Sequence, residues 1–356
     1  MDKSVLDLYT DYLISSFGQT TATGLSALLG GTLSHDQISR FLKSKTFTSA
    51  DLWQLVKPLA RQLQREDGVL IIDDSVEEKL YTDESELICW HWDHVTGRSV
   101  KGLNLLTCLY YSQQVALPVA FELVKKPDFV TDKKTGKIKR AARKTKNELY
   151  REMLSACVTN QLPFQYVLND LWFASAENMV YLKQTLQKDF VMPLKENRKL
   201  SFEPPATPKR RFVPVSSLTL EADTVITVWL EDVDFPLLLI KQVFTNKDGS
   251  IGIVYLVTSD TTLAAEQITT LYQKRWKVEE YHKSLKSNLG FAKSPTKTVR
   301  TQSNHIFACL AAFVKMERLR MCHHLNHFAM KAQLYQAALV SAFQQLQVLK
   351  MKCSPA

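Results

Sequence analysis

Residues 1–66 repeat their apolar positions every three or four residues, the spacing of amphipathic helices. Ser34 precedes one of these segments at a position that favours a helix N-cap. The segment that follows it, SHDQISRFLKSK, has the form of the second helix of a helix-turn-helix, with Arg40 and Lys43 along it. The pattern predicts a helical N-terminal subdomain over residues 1–66 that contacts DNA through Arg40 and Lys43, although any small helical subdomain can share this pattern.

The period of the pattern changes after residue 66. GVLIIDDS (68–75) and FQYVLND (164–170) are short apolar runs, typical of buried strands, and each ends in acidic residues. Two further strands are predicted at 103–112 and 116–124, and helices at 146–160 and around 175–187. Alternating strands and helices indicate an α/β fold, so residues 67–194 are expected to form the first part of a mixed sheet flanked by helices.

The remainder of the chain divides at Asp260. Residues 195–262 begin with a Pro-rich basic loop and continue with three strand-like runs, which predict a β-rich insertion. Beyond it the pattern is helical again, with one long helix through LYQKRWKVEEYHKSLK (271–286). We expect residues 263–300 to complete the core and residues 301–356 to form C-terminal helices.

Composition narrows the class of protein. The chain has 356 residues, of which 45% are hydrophobic and 23% charged, as in soluble globular proteins. It lacks an apolar run of membrane-helix length and a signal-peptide pattern, so no membrane partner is expected. Six scattered cysteines without a CxxC pair indicate free thiols in a reducing cytoplasm.

Positive charge is concentrated in one segment of a chain whose net charge is +9. Residues 125–152 hold 11 Lys and Arg against 4 Asp and Glu, an excess of seven. Such an excess suits a nucleic-acid partner, or it belongs to a solvated, flexible loop. The predicted DNA contacts in this segment are Lys139, Arg140, Arg143 and Lys144.

Acidic residues close two predicted strands, as Asp73-Asp74 and as Asp170. Strand ends of an α/β sheet converge at the edge where such folds place their chemistry, and Mg²⁺ prefers oxygen ligands. The alternative is that each acid caps a helix or forms a turn. A third acid is available on 271–286, where Tyr272, Arg275, Glu279, His282 and Lys286 follow a three-and-four spacing that would place them on one helical face. A surface ion pair between Arg275 and Glu279 is the simpler interpretation of that spacing.

The spacing Tyr-(2)-Arg-(3)-Glu-(6)-Lys resembles the Y-R-E-K signature of bacterial insertion-sequence transposases of the DDE type. IIDDS and VLNDLWFAS resemble the strands that carry the first and second aspartates of that family. The resemblance implies a ribonuclease-H-like core in which Asp73, Asp170 and Glu279 are catalytic and bind two Mg²⁺ ions, with Mn²⁺ able to substitute. Asp74 is the alternative candidate for the first of the three catalytic acids. It also implies that Tyr272, Arg275 and Lys286 bind DNA.

The function implied by the resemblance is metal-dependent nicking and strand transfer of an insertion sequence by a cut-and-paste route. The resemblance allows a route with hairpin ends and a route without them. The partners implied are double-stranded DNA, as element ends and target, and a second subunit that forms a homodimer on two ends. A cytoplasmic, nucleoid-associated bacterial protein is expected. Trp229 or Tyr255 would accept a flipped base. Two alternatives are a catalytically silent DNA-binding relative and a metal-dependent nuclease that only hydrolyses.

Overall fold

The computed structural model describes residues 3–93, 97–133, 136–246 and 248–353. The helices are α1 (Lys3–Ser15), α2 (Ala22–Leu28), α3 (His35–Leu42), α4 (Ser49–Leu63), α5 (Lys146–Thr159), α6 (Ala176–Val180), α7 (Ala265–Gln273), α8 (Trp276–Asn288), α9 (Val299–His323) and α10 (His327–Cys353). The strands are β1 (Val69–Glu78), β2 (Cys89–Asp93), β3 (Arg98–Ser112), β4 (Val115–Leu123), β5 (Asp128–Thr131), β6 (Ile138–Ala141), β7 (Tyr166–Asn169), β8 (Asp189–Leu194), β9 (Lys199–Ser201), β10 (Val213–Pro214), β11 (Ile226–Leu230), β12 (Leu237–Thr245) and β13 (Ile251–Thr258).

The chain divides into two compact units. The first comprises the described residues of 1–55, 77–103 and 280–356, and the second comprises those of 56–76 and 104–279. The second unit holds most of a mixed sheet, in the order β10-β9-β11-β12-β13-β8-β7-β1-β3, with β4 paired to β3. A mixed sheet flanked by helices confirms the α/β, ribonuclease-H-like fold class that the sequence predicts.

The central strands of this sheet are parallel. β7 pairs in parallel with both β1 and β8, and residues 69–72 of β1 are fully buried, as expected for strands covered on both faces. The strands of the predicted insertion continue the same sheet, because β13 pairs antiparallel with β8 and β12 with β13. A separate two-stranded ribbon, β5–β6, carries the basic segment.

Helix α9 is the centre of the first unit. It is buried on all sides from Thr301 to Val314, so its polar side chains need partners within the protein. The Asn304 amide donates to the carbonyls of Leu42 and Lys45 and accepts from the Phe47 N–H, which ties the end of α3 to α9. Burial lowers the pKa of His305 to about 4, so this histidine is neutral at physiological pH.

One sequence-based prediction in this region is wrong. The segment 271–286 does not form one continuous helix, because α7 ends at Gln273 and α8 begins at Trp276. At the junction the Arg275 N–H bonds to the Tyr272 carbonyl, three residues back, instead of four back as in an α-helix. Tyr272 and Glu279 therefore lie on different helices, on either side of this turn. The other predicted strands and helices named above are confirmed within a few residues of their expected ends.

Within the described residues, none of the helices is both long enough and apolar enough to cross a membrane.

Gly102 marks a close approach between two backbones in the first unit. A Cβ atom at this position would lie 2.1 Å from the carbonyl oxygen of Glu77, a contact that only a backbone shift can relieve. Gly18, in contrast, has open space where its Cβ would lie.

We predict that Gly102→Ala lowers the free energy of unfolding by about 1–3 kcal/mol, the usual cost of overpacking. Thermal unfolding of the purified protein measures it, with Gly18→Ala as the control that leaves the midpoint near that of the wild type. Equal midpoints for the two variants would show that β1 and β3 are not packed as closely as described.

Candidate active site

The register of two parallel strands brings the first two predicted acids together. Ile72 of β1 is paired with Asn169 of β7, so the next residue on each strand, Asp73 and Asp170, lies at the same level of the sheet. Asp170 follows the buried Asn169, the last residue of β7, as the sequence predicts. Asp73 follows the buried Ile72 but is not at a strand end: β1 continues to Glu78, and Asp73 lies where its parallel pairing with β7 stops. This is the edge at which α/β sheets bind ligands.

Asp73 is a buried acid, with only 8% of its surface exposed. Burial raises its pKa well above the ordinary range, and the negative charges of Asp170 and Asp74 raise it further. The pKa of Asp170 is also raised, first by burial and then by Asp74, although the backbone N–H of Trp172 donates to Asp170 at 3.0 Å and partly offsets this. Negative charge therefore outweighs positive charge around the two carboxylates.

Asp74 lies in a different environment from its neighbour. Lys146, the first residue of α5, forms an ion pair with Asp74 at 2.7 Å, and the Asn104 amide donates to the same carboxyl oxygen at 2.6 Å. Both side chains of the ion pair are largely buried, so the charge of Asp74 has a close cationic partner of its own. Sequence reasoning missed Lys146 and Asn104, because neither belongs to a motif and Lys146 is one of many cations in its segment.

The third predicted acid, Glu279, lies in the first turn of α8, where the helix dipole favours a negative charge. Carboxylate oxygens of Glu279 and Asp73 lie within 4.8 Å of each other. The side chain of Glu279 remains 45% exposed, whereas that of Asp73 is 12% exposed. The site thus has two aspartates that are largely removed from solvent, on β1 and directly after β7, and a more accessible glutamate beside Asp73.

Arg275, at the junction of α7 and α8, faces this acidic cluster. Its guanidinium lies 3.3 Å from Glu279 and 3.8 Å from Asp73, and only 16% of its side chain is exposed. Burial alone would lower the pKa of Arg275, but its acidic neighbours, the phenol of Tyr272 followed by the carboxylate of Asp73, raise it. The guanidinium also lies 5.7 Å from the ring centre of Tyr272, and burial raises the pKa of that phenol to about 12. Arg275 thus places a cation within the acid cluster.

These residues fit a divalent metal. Asp73, Asp170 and Glu279 supply oxygen ligands of the kind that Mg²⁺ and Mn²⁺ prefer. Burial, followed by the charge of neighbouring carboxylates, raises the pKa of both aspartates, and a bound cation would offset both effects. Asp74 differs from them, since Lys146 and Asn104 engage it.

The other predicted site residues lie on the protein surface or within the first unit. Lys286, on α8, lies 3.6 Å from Glu77. Arg40 and Lys43 are exposed, at the end of α3. On and after the β5–β6 ribbon, Lys139, Arg143 and Lys144 pair with Asp132, Asp128 and Glu152, and Arg140 packs over the Phe129 ring. Of the two aromatics expected to accept a base, Tyr255 is buried and Trp229 is half-buried.

Comparison with known protein families gives two matches. Residues 2–214 match the family model described as DDE superfamily endonuclease, and residues 122–314 match the model described as transposase DDE domain. Each match covers more than half of the chain. A search of curated proteins finds no significant match.

Among solved structures, the chain is similar to Kluyveromyces polysporus Argonaute with a guide RNA, at 11% identity and a TM-score of 0.21. The similarity covers 77% of this chain and 31% of that one, and it is too weak to support a statement about fold or function. The family matches are of a different kind, because they span the strands and the helices on which the acidic cluster is built. The chain belongs to the DDE family of transposases and endonucleases, and it is an enzyme of the nuclease type.

Proposed function

We propose that this protein is a transposase that nicks and joins DNA by a cut-and-paste route, with Asp73, Asp170 and Glu279 as the residues that hold two Mg²⁺ ions. The supporting observation is the gathering of these carboxylates, two next to a paired position of the neighbouring strands β1 and β7 and the third within 4.8 Å of Asp73. Mn²⁺ prefers the same oxygen ligands and would substitute. Bound divalent ions of this kind activate the attacking oxygen and stabilise the leaving oxygen of a phosphodiester.

The residues around the acids would orient the DNA. Arg275 balances part of the charge on Asp73 and Glu279, and its buried guanidinium would lie close to a scissile phosphate bound at these acids. Tyr272 has a pKa of about 12, so its hydroxyl remains protonated at neutral pH and can donate to a phosphate oxygen. Lys286, half-exposed on α8, would bind the DNA backbone near the cleavage point, as the family resemblance implies.

The basic surface would hold the rest of the duplex. Lys139, Arg143 and Lys144 pair with acids at the protein surface, and such pairs contribute little, so DNA phosphates can replace the acids at small cost. Arg140 adds a further cation on the same ribbon. Residues 1–66, with Arg40 and Lys43, would form a second DNA-binding surface, and the 195–211 loop a third.

The proposed oligomeric state, reaction steps, domain roles and cellular location follow from the family resemblance. A homodimer would hold two element ends and nick each of them with water. In the hairpin route, the freed 3′-hydroxyl attacks the opposite strand and releases the flanking DNA, and a second water then opens the hairpin and regenerates the 3′-hydroxyl. That hydroxyl attacks target DNA and displaces a 3′-hydroxyl of the target strand. Residues 67–194 and 263–300 would form the catalytic core, and residues 195–262 would handle the distorted end, with Trp229 or Tyr255 receiving a flipped base. The transposition reaction would take place in the bacterial cytoplasm, at the nucleoid. Strand-transfer products from a pre-nicked end distinguish this activity from simple hydrolysis.

Asp73 and Asp74 can be separated by paired substitution. We predict that Asp73→Asn abolishes Mg²⁺-dependent nicking of a labelled element end, while the metal-free protein is as stable as the wild type or more so, because a buried charge among like charges has been removed. Asp74→Asn should instead lower the unfolding free energy by about 1–3 kcal/mol, since Lys146 would remain buried without its charged partner.

Both variants are compared by nicking and by thermal unfolding without metal. If Asp74→Asn alone abolishes nicking and retains full stability, Asp74 is the first acid of the site and Asp73 is not.

Glu279 and Glu280 provide a second matched pair. We predict that Glu279→Gln reduces nicking by more than the roughly 10–100-fold that removal of an outer-shell partner costs, while DNA affinity is retained, because a carboxylate charge has left a phosphate-facing site. Glu280→Gln, one position around the same helix, should nick normally. Nicking and gel-shift assays on one labelled end make the comparison, and normal nicking by both variants would remove the third acid from α8.

Binding through the basic segment predicts a steep dependence on salt. We predict that replacing Lys139, Arg140, Arg143 and Lys144 together with alanine reduces the slope of log affinity against log salt by about 0.9 for each DNA phosphate that these side chains neutralise in the wild type. A fluorescence-anisotropy titration at several salt concentrations measures the slope. Lys57→Ala/Arg65→Ala, at two exposed positions of the same unit, is the control expected to leave it unchanged. A wild-type affinity that barely changes with salt contradicts an electrostatic role.

A further inference from the structure

An exposed tryptophan lies directly beside the acidic cluster. Trp172 follows Asp170 by two residues, and 45% of its surface is exposed, as is 39% of the surface of its neighbour Leu171. The backbone N–H of Trp172 donates to the carboxylate of Asp170 at 3.0 Å. The indole is therefore attached to the same short segment that positions the acid, and its side chain remains accessible from solvent.

The segment that carries Trp172 is held on both sides. The next residue, Phe173, is fully buried, and its ring stacks on that of Tyr150 of α5 with the ring centres 5.2 Å apart. The buried amide of Asn178 donates to the Phe173 carbonyl at 2.9 Å and to the side chain of Asn147, also on α5, at 3.0 Å. The exposure of Trp172 is thus a property of a well-supported turn and not of a loose loop.

A cation lies over the indole ring. The Lys146 ammonium is 5.5 Å from the centre of the Trp172 ring, and the same ammonium pairs with Asp74 at 2.7 Å. Attraction between an ammonium and the electron-rich face of an indole favours one orientation of the ring. Lys146 therefore couples the position of the ring to β1, next to Asp73.

The chemistry of an indole indicates which part of a DNA substrate it would contact. Trp172 carries no charge, and its planar ring binds another planar ring by stacking. In DNA the planar groups are the bases, each of which has a face that an aromatic side chain can cover. Within an intact duplex both faces are covered by neighbouring bases, and unstacking a base costs free energy. A cut strand exposes the face of its terminal base without that cost.

We propose that Trp172 stacks on the terminal base of a DNA strand that has been cut at the acidic cluster, and so retains the cut end for the joining step. This inference rests on the proposed function, because it requires DNA to be cut at Asp73, Asp170 and Glu279. The carboxylates carry the chemistry of nicking, and the group that Trp172 contributes to Asp170 is a backbone N–H, which remains when the side chain is replaced.

The test compares two duplexes with the same element-end sequence, one that stops at the cleavage point and one that continues into flanking DNA. Binding is measured by fluorescence anisotropy without divalent metal. Trp172→Ala is expected to weaken binding of the pre-cut duplex by about 5- to 150-fold, which corresponds to the roughly 1–3 kcal/mol that stacking on one base contributes. Binding of the continuous duplex should change little.

A pre-cut duplex that lacks its terminal base completes the comparison. Removal of the base should weaken binding by the wild type as much as the Trp172→Ala substitution does, and it should cause no further loss in the variant, because both changes remove the same contact. With Mg²⁺ present, the ratio of joined to nicked product should be lower for Trp172→Ala than for the wild type.

The matched control is Trp90→Ala, which removes a tryptophan that is 54% exposed on β2, in the first unit, and should bind both duplexes as the wild type does. Trp172→Phe retains an aromatic ring and should regain most of the lost affinity. Wild-type affinity of Trp172→Ala for the pre-cut duplex, an equal loss for both duplexes, or additive effects of the variant and the missing base would each overturn this inference alone. A wild-type protein that does not nick DNA with Mg²⁺ would overturn the proposed function, and this inference with it.

Discussion

The gathering of like charges away from water is the constraint on which the rest of this structure depends. Asp73 and Asp170 are both largely removed from solvent, and the charge on neighbouring aspartates makes each of them harder to ionise. Such an arrangement is unfavourable for folding on its own, so it persists only where the surrounding structure determines it strongly. Here that determination comes from the sheet, whose buried central strands fix where both aspartates lie.

The charges around Asp73 and Asp74 distinguish these two adjacent aspartates, which the sequence pattern alone does not. Asp74 has a lysine and an amide as close partners, whereas the cation beside Asp73 is the guanidinium of Arg275, at the longer distance of 3.8 Å. One aspartate is therefore part of the scaffold that joins β1 to α5, and the other retains an excess of negative charge around it. A hard cation would relieve that excess at Asp73 and would gain little at Asp74.

Much of this site could be predicted from residue patterns, since apolar runs stop at Asp73 and next to Asp170. The strand end was correct for Asp170 only, because β1 continues past Asp73 to Glu78. The difference between Asp73 and Asp74 could not be predicted, because it depends on Lys146, which is 72 residues away along the chain from Asp74. The break between α7 and α8 could not be predicted from the residue pattern either. No Pro or Gly lies between Gln273 and Trp276, and a three-and-four spacing fits two consecutive helices as well as one. The pattern therefore located the residues of the predicted stripe but not the geometry that relates them.

Arg275 explains how a site built of acids can serve a polyanionic substrate. Its guanidinium pairs with Glu279, one helical turn away, and also faces Asp73. The side chain is held there by burial and by the aromatic ring of Tyr272. A buried guanidinium beside three carboxylates reduces the negative field that an approaching phosphate would meet, without removing the oxygen ligands that a cation needs. The same unit carries its excess of lysine and arginine on the β5–β6 segment, so attraction of DNA and repulsion by the acids arise from different parts of one chain.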